Sequence, residues 1–226
     1  MTGASATPTN PAEMTLEELR LYLAPHIADA AVFDGWTDTA LAEAARTARV
    51  DEDVARLAFK DGAMAMIGAW IATVDNAMAA ALPSEKLGTM KIRERIRSLV
   101  QFRLDAVATR EEALRRALAV MAMPRNAAEA VRMGWHSADL MWRLAGDTAT
   151  DWNHYSKRAI LASLYAATLA ILVNDESLEK VETRAFLDRR IEGVMRFEKF
   201  KHQWLSSNRE HFSPTRFLGR LRYPAR

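Results

Sequence analysis

The densest collection of side chains able to do chemistry lies between residues 134 and 158, which hold three of the six tryptophans (Trp135, Trp142, Trp152) among several acids and bases. Asp151 and His154 stand three residues apart, a separation at which two side chains on one helix can share a metal ion. One such pair is too few. A di-iron bundle draws a Glu-x-x-His from each of two helices and two further carboxylates, and His26, His136, His202 and His211 supply no second pair. The sequence also has no Gly-x-Ser-x-Gly elbow, no Walker loop and no dinucleotide fingerprint. Catalytic residues, a metal and a cofactor are therefore not assigned, and the chain reads as a non-enzyme. Part of the cluster is explained by structure alone: Thr150 or Asp151 can cap the following helix, and Trp135 and Trp142 can be core. Trp152, His154, Tyr155, Lys157 and Arg158 arriving together at the mouth of an apolar helix are better explained as an interaction surface, which favours aromatic and Arg side chains with few neighbouring carboxylates.

The elements that must position these residues are helices. Half of the residues are hydrophobic, and only nine Gly and seven Pro interrupt the chain. Ala, Leu, Glu, Arg and Met dominate, and they keep most of their side-chain freedom in a helix. The absence of cysteine excludes disulfides and thiolate chemistry and suits a reducing, intracellular setting. Residues 1–14 lack the basic flank and apolar core of a secretory signal and read as a disordered leader. A capping box, Thr15 with Glu18, opens the first helix, whose stripe of Leu16, Leu19, Leu23, Ile27 and Ala30 runs on to Phe33. Thr37 caps a helix over 38–48, and Asp51 caps a short third one carrying Val54, Leu57 and Ala58. A fourth, over 62–82, repeats Met66, Trp70, Val74 and Met78 at spacing four. Helices follow over 89–108, 111–122, 124–134, 135–145, 154–173 and 178–205, with a polar loop over 147–153. The organisation expected is an N-terminal unit over 15–82, a larger helical domain over 83–205, and a tail over 206–226.

The first three helices have the layout of a helix-turn-helix and resemble the N-terminal part of TetR-type regulators. A DNA reader carries Arg, Lys, Asn, Gln or Ser at the start of its third helix. Here that helix opens Asp51-Glu52-Asp53. These carboxylates complement a helix N-terminus and oppose phosphate. Arg46, Arg49 and Arg56 lie nearby, but the module reads as retired from DNA binding.

The run 159–173 is apolar on every side yet short for a membrane span. A helix of that kind must be wrapped by other helices, a second subunit or a ligand. Its small residues Ala162, Ser163, Ala166, Ala167 and Ala170 leave room for close packing or for a hydrocarbon chain. Met66, Met78, Met121, Met123, Met133 and Met141 add adaptable surface. Judged from the residues alone, an ordinary Met-bearing core explains them equally well. The candidate lining is Trp135, Met141, Trp142, Ile160, Leu161, Leu164, Tyr165 and Leu169. The net charge of +2 is uneven, since from Arg196 onward eight Lys and Arg face only Glu198 and Glu210. Trp204, Phe212, Arg216, Phe217, Leu218, Arg220, Leu221 and Arg222 make this end a basic, aromatic, amphipathic segment suited to an anionic membrane.

The string Ala145-Gly146-Asp147-Thr148-Ala149-Thr150-Asp151, followed by Asn153, Tyr155, Lys157, Arg158 and Ala159, closely resembles the signature of the Coq-nine family of ubiquinone-biosynthesis accessory proteins. Arg184-Ala185-Phe186-Leu187-Asp188-Arg189-Arg190-Ile191 is similar to that family as well. The resemblance spans about residues 15–201. It implies an all-α, TetR-like, lipid-binding homodimer with a pocket for an isoprenoid quinone intermediate. It also implies a di-iron demethoxyubiquinone hydroxylase as partner, docked around Asp151, Trp152, Asn153, His154, Tyr155, Lys157 and Arg158. His154 departs from the second aromatic expected of eukaryotic relatives, with Trp152 two residues earlier. The expectation is a cytoplasmic protein peripherally bound to a bacterial inner membrane; the alternatives are a TetR-type repressor with an apolar ligand and a metalloenzyme using Asp151 and His154.

Overall fold

The computed structural model describes residues 10–148 and 152–209, where ten α-helices and three 3-10 turns are joined by short loops and no strand occurs. Helix α1 (Leu16–Asp34) starts at the expected capping box: Thr15 Oγ1 accepts the Glu18 N–H at 3.3 Å, and Glu18 Oε2 accepts the Thr15 N–H at 2.8 Å. Leu19, Leu23 and Ile27 are buried, whereas Leu16 is 40% and Phe33 81% exposed, so the apolar stripe does not extend to either end. Thr37 caps α2 (Asp38–Ala48) and Asp51 caps α3 (Glu52–Ala58). Ala55 and Ala58 form the buried face of α3, and its Val54 and Leu57 are exposed.

The central strut is α4 (Ala63–Ala81), on which Met66, Trp70, Val74 and Met78 are all buried. By length and composition α4 alone among the described helices could cross a membrane. Its inner face packs instead against α1, α6, α7 and α8. The Trp36 ring lies 5.4 Å from that of Trp70 and its Nε1–H donates to the Ala113 carbonyl at 2.9 Å. Arg110 pairs with Asp29 at 2.5 Å. One continuous core therefore runs from the N-terminal helices into the rest.

Beyond Pro83, a short α5 (Ser84–Gly88) takes residues expected to lie in a loop, and α6 (Ile92–Ala108) begins three residues later than expected. Helix α7 (Glu111–Met121) follows. The two helices expected on either side of Gly134 are one, α8 (Ala127–Leu144). Gly134 costs a helix only about 1 kcal/mol relative to alanine, and good helix formers around it carry the helix through. After the loop come α9 (Trp152–Leu172) and α10 (Val181–Arg209), the latter entered through a 3-10 turn at Leu178–Lys180. Asp175, 2% exposed, anchors that entry by accepting hydrogen bonds from the backbone and hydroxyl groups of Ser177 and Thr183. Burial pushes its carboxyl up, but these bonds outweigh burial and hold it far below the usual carboxylate range.

Candidate functional site: an apolar cavity and the α8–α9 joint

Helices α4, α6, α7, α8 and α9 enclose a cavity of about 610 Å³. Its wall is almost wholly apolar: Ile67, Trp70, Ile71 and Val74 from α4, Val107 from α6, and Leu114, Ala117, Leu118 and Met121 from α7. Met133 and Trp135 of α8 and Ala159, Ala162, Ala166 and Leu169 of α9 complete it. Volumes of this order are those of small-molecule sites. The space exists because α9 turns Leu161, Leu164, Thr168 and Leu172 into the core but presents small side chains to α7 and α8. Within the chain the other helices cover α9 on one side only, and Ala159, Ser163, Ala166 and Ala170 are exposed on the other.

Of the candidate lining residues, Trp135, Tyr165 and Leu169 face this cavity. Trp142, Ile160, Leu161 and Leu164 line a second one, of about 380 Å³, between α6, α9 and α10. Met141 lines neither: because α8 is continuous, its position turns inward and it is fully buried in the core. Among the other methionines, Met121 and Met133 face the larger cavity, Met66 and Met78 are core, and Met123 is exposed.

A group that the sequence reading overlooked lies in the same wall. Arg103, 2% exposed, pairs through Nη1 with Asp75 and donates through Nη2 to Ser137 Oγ at 3.1 Å. Ser137 Oγ donates in turn to Asp75 Oδ2 at 3.3 Å. The guanidinium lies over the Tyr165 ring, 4.9 Å from its centroid, in cation–π geometry. Two signals were available: Asp75 is the sole charge in an otherwise apolar helix, and Arg103 falls on the face marked by Leu99, Val100 and Leu104.

The residues of the signature string come together as a joint. Gly146 adopts φ +87°, a left-handed conformation open to glycine, and a Cβ there would meet Arg95 Nη1 at 3.2 Å. Arg95 Nη1 donates to the Ala145 carbonyl at 2.8 Å. Asp147 then accepts from Lys157 Nζ at 2.7 Å and Arg158 Nη1 at 3.1 Å. Burial raises the Asp147 carboxyl, while the bonds and charges of Lys157 and Arg158 pull it below its ordinary value. Arg158 also reaches Asp139 at 2.5 Å and the His154 carbonyl at 3.0 Å. It is 2% exposed, so its expected place in a partner-facing patch is corrected: two acids from α8 and the loop draw it inside. Lys157 is half-buried, with Nζ 5.3 Å above the Trp142 ring. What remains outside is Tyr155, 58% exposed, its ring 6.1 Å from Trp135 and 5.1 Å from His154. Trp152 and Asn153 belong to α9 by their backbone. Asp151 lies outside the described residues, as does any cap by Thr150, and the Asp151–His154 pair with them. So do Phe212, Arg216, Phe217, Leu218, Arg220, Leu221 and Arg222, while Trp204 falls on α10.

The N-terminal unit offers little to a phosphate backbone. Arg56 pairs with Glu52 at 3.0 Å and Asp53 at 2.9 Å, and Arg46 pairs with Glu43 at 2.6 Å. The third helix, seven residues long, presents carboxylates and the exposed Val54 and Leu57 where a reader would present donors.

Residues 127–198, the span from α8 into α10, match the family model described as COQ9. The human mitochondrial ubiquinone biosynthesis protein COQ9 is 30% identical over 168 residues, which cover 71% of this chain and 52% of that protein. The rat protein of the same name is 31% identical over 168 residues, covering 71% of this chain and 54% of its own. A probable ubiquinone biosynthesis protein coq9 of Dictyostelium discoideum is 25% identical over 116 residues, or 51% of this chain and 38% of that one. The chain thus spans about half the length of the curated relatives it matches. Among solved structures, a TetR transcriptional regulator from Nitrosomonas europaea superposes with a TM-score of 0.62 at 22% identity, covering 77% of this chain and 96% of that one. The fold is thus TetR-like, and the chain is similar to the COQ9 family, by family model over the α8–α10 segment and by sequence over 71% of its length.

Proposed function

We propose that this chain is a non-enzymatic accessory protein of ubiquinone synthesis that holds an isoprenoid quinone intermediate and presents it to the di-iron demethoxyubiquinone hydroxylase. The observation that carries the reading is the apolar cavity of about 610 Å³ in a chain similar to proteins named for that pathway. An empty greasy space of this size forfeits dispersion contacts along its whole wall, and an apolar guest restores them. The surface for the partner is Tyr155 with Trp135 and His154, held in place by the joint beneath. Pairing with a second copy belongs to the same reading, and it must leave the cavity opening beside Ala159, Ser163 and Ala166 free. The basic end of the chain supports reversible contact with the membrane in which the substrate dissolves. A repressor role is disfavoured because Arg46 and Arg56 beside α3 are already paired with acids of their own unit.

The test is reconstitution of the hydroxylase on liposomes containing demethoxyubiquinone, with and without this protein. Turnover is expected to rise on its addition and to stay at the basal rate with an Ala162→Phe variant, whose ring occupies the cavity. Turnover indifferent to the protein overturns the proposal.

A further inference from the structure

The cavity wall carries charge at one place only, and that place is at its closed end; Ser163, on the open side, spends its hydroxyl on the Ile160 carbonyl. Trp70, Val74, Val107, Arg103, Ser137 and Tyr165 of the wall are all buried. On the opposite side Ala122, Val131, Ala159, Ser163 and Ala166 are exposed, and these form the mouth. The wall therefore runs from a charged inner end to an uncharged, largely apolar opening.

The inner cluster is incompletely satisfied. A guanidinium has five N–H donors, and Arg103 uses Nη1 on Asp75 and Nη2 on Ser137. Its Nε, buried, has no hydrogen-bond partner. Among the described residues two other buried atoms share that condition, Gln101 Oε1 and Arg184 Nε, but neither belongs to a residue of this wall. An unmet donor on a buried cation is costly, and a small turn of the guanidinium toward the cavity it lines would let a ligand oxygen meet that donor. The cavity is of a size to enclose a drug-sized molecule, so it can take a substituted ring and the first part of a chain, and a long hydrocarbon must leave through the mouth.

We propose that Arg103, positioned by Asp75 and Ser137, is the head-group subsite of the cavity: it binds an oxygen acceptor on a ring, a carbonyl or ether oxygen, so the ligand enters ring first with its hydrocarbon directed outward. This rests on the lipid-carrying reading above and adds to it the chemical class of the head and its orientation. Tyr165 then serves as a platform that holds the guanidinium plane.

The experiment titrates the full chain with two probes of comparable size, the short-chain quinone ubiquinone-1 and the oxygen-free hydrocarbon farnesene, read by tryptophan fluorescence. The parent is expected to bind the quinone about tenfold or more tighter, as one charge-assisted hydrogen bond contributes. The double variant Asp75→Leu/Arg103→Met removes both charges together, an exchange that buried pairs often tolerate. It is expected to bind farnesene as the parent does and to lose the quinone preference. Arg103→Lys, which keeps the charge without the planar fork, provides a second folded variant and is expected to lose part of the preference. A purely structural role for Arg103 would weaken both probes equally. Equal affinity of the parent for both probes, or an undiminished preference in the variants, overturns the head-group proposal alone. Binding of neither probe by the parent overturns the lipid-carrying reading as well.

Discussion

Replacing Arg158 and replacing Tyr155, three residues apart on one helix, is expected to have opposite consequences. The Arg158 guanidinium is sealed between Asp139 at 2.5 Å and Asp147 at 3.1 Å, and also bonds the His154 carbonyl. Removing one partner of a buried ion pair costs about 3–5 kcal/mol because the other charge is stranded. Asp147 keeps Lys157 at 2.7 Å, and Asp139 keeps Arg143 at 3.1 Å and is 24% exposed in its side chain, so the low end applies. For Arg158→Met a loss of about 3 kcal/mol is expected, or about 6–12 °C in Tm for a chain of this length. Tyr155 is mostly in solvent, and Tyr155→Ala is expected to change stability by less than about 0.5 kcal/mol. Urea unfolding followed by circular dichroism reads the first effect, and capture of the hydroxylase on immobilised protein reads the second. Tyr155→Ala is expected to lose capture while folded. Arg158→Met within 0.5 kcal/mol of the parent would refute the burial argument.

The same geometry predicts acid sensitivity. Asp147 and Asp175 are held below their ordinary values in the folded chain, so the unfolded state takes up protons first as pH falls. Their contribution is complete above about pH 4, the unfolded aspartate range, and is lost progressively below it; a Tm flat between pH 4 and pH 2.5 would contradict this. Filling the cavity by Ala162→Phe is expected to reduce binding of a prenylquinone at least about tenfold, as lost apolar contact implies, with no loss of Tm; isothermal titration and calorimetry check both. Deleting residues 212–226 is expected to reduce sedimentation with anionic liposomes at low salt, and an undiminished pellet would dismiss the membrane role of that segment.

Most of the helices were legible because periodicity and caps are local. Thr15 with Glu18, Thr37 and Asp51 each satisfy backbone donors within three residues, and the Met66, Trp70, Val74, Met78 stripe states its own period. The continuity of α8 was not legible, because a mid-helix glycine and a helix break look alike until the flanking residues are known to pack. The burial of Arg158 was hidden for a different reason. Its partners lie 11 and 19 residues away, and only the return of α9 against α8 brings them together. Asp147, Lys157 and Arg158 of the signature string therefore form the joint between α8 and α9, with Arg158 buried in it. Asp75 and Arg103, 28 residues apart, show the converse, since each is anomalous on its own helix and together they explain one another.

The most direct measurement is native mass spectrometry of the full chain purified from a host that makes ubiquinone. A bound species is expected whose mass, after gentle release, is that of a prenylated ring, at close to one per chain. A lipid-free protein that also fails to take up added prenylquinone would contradict it.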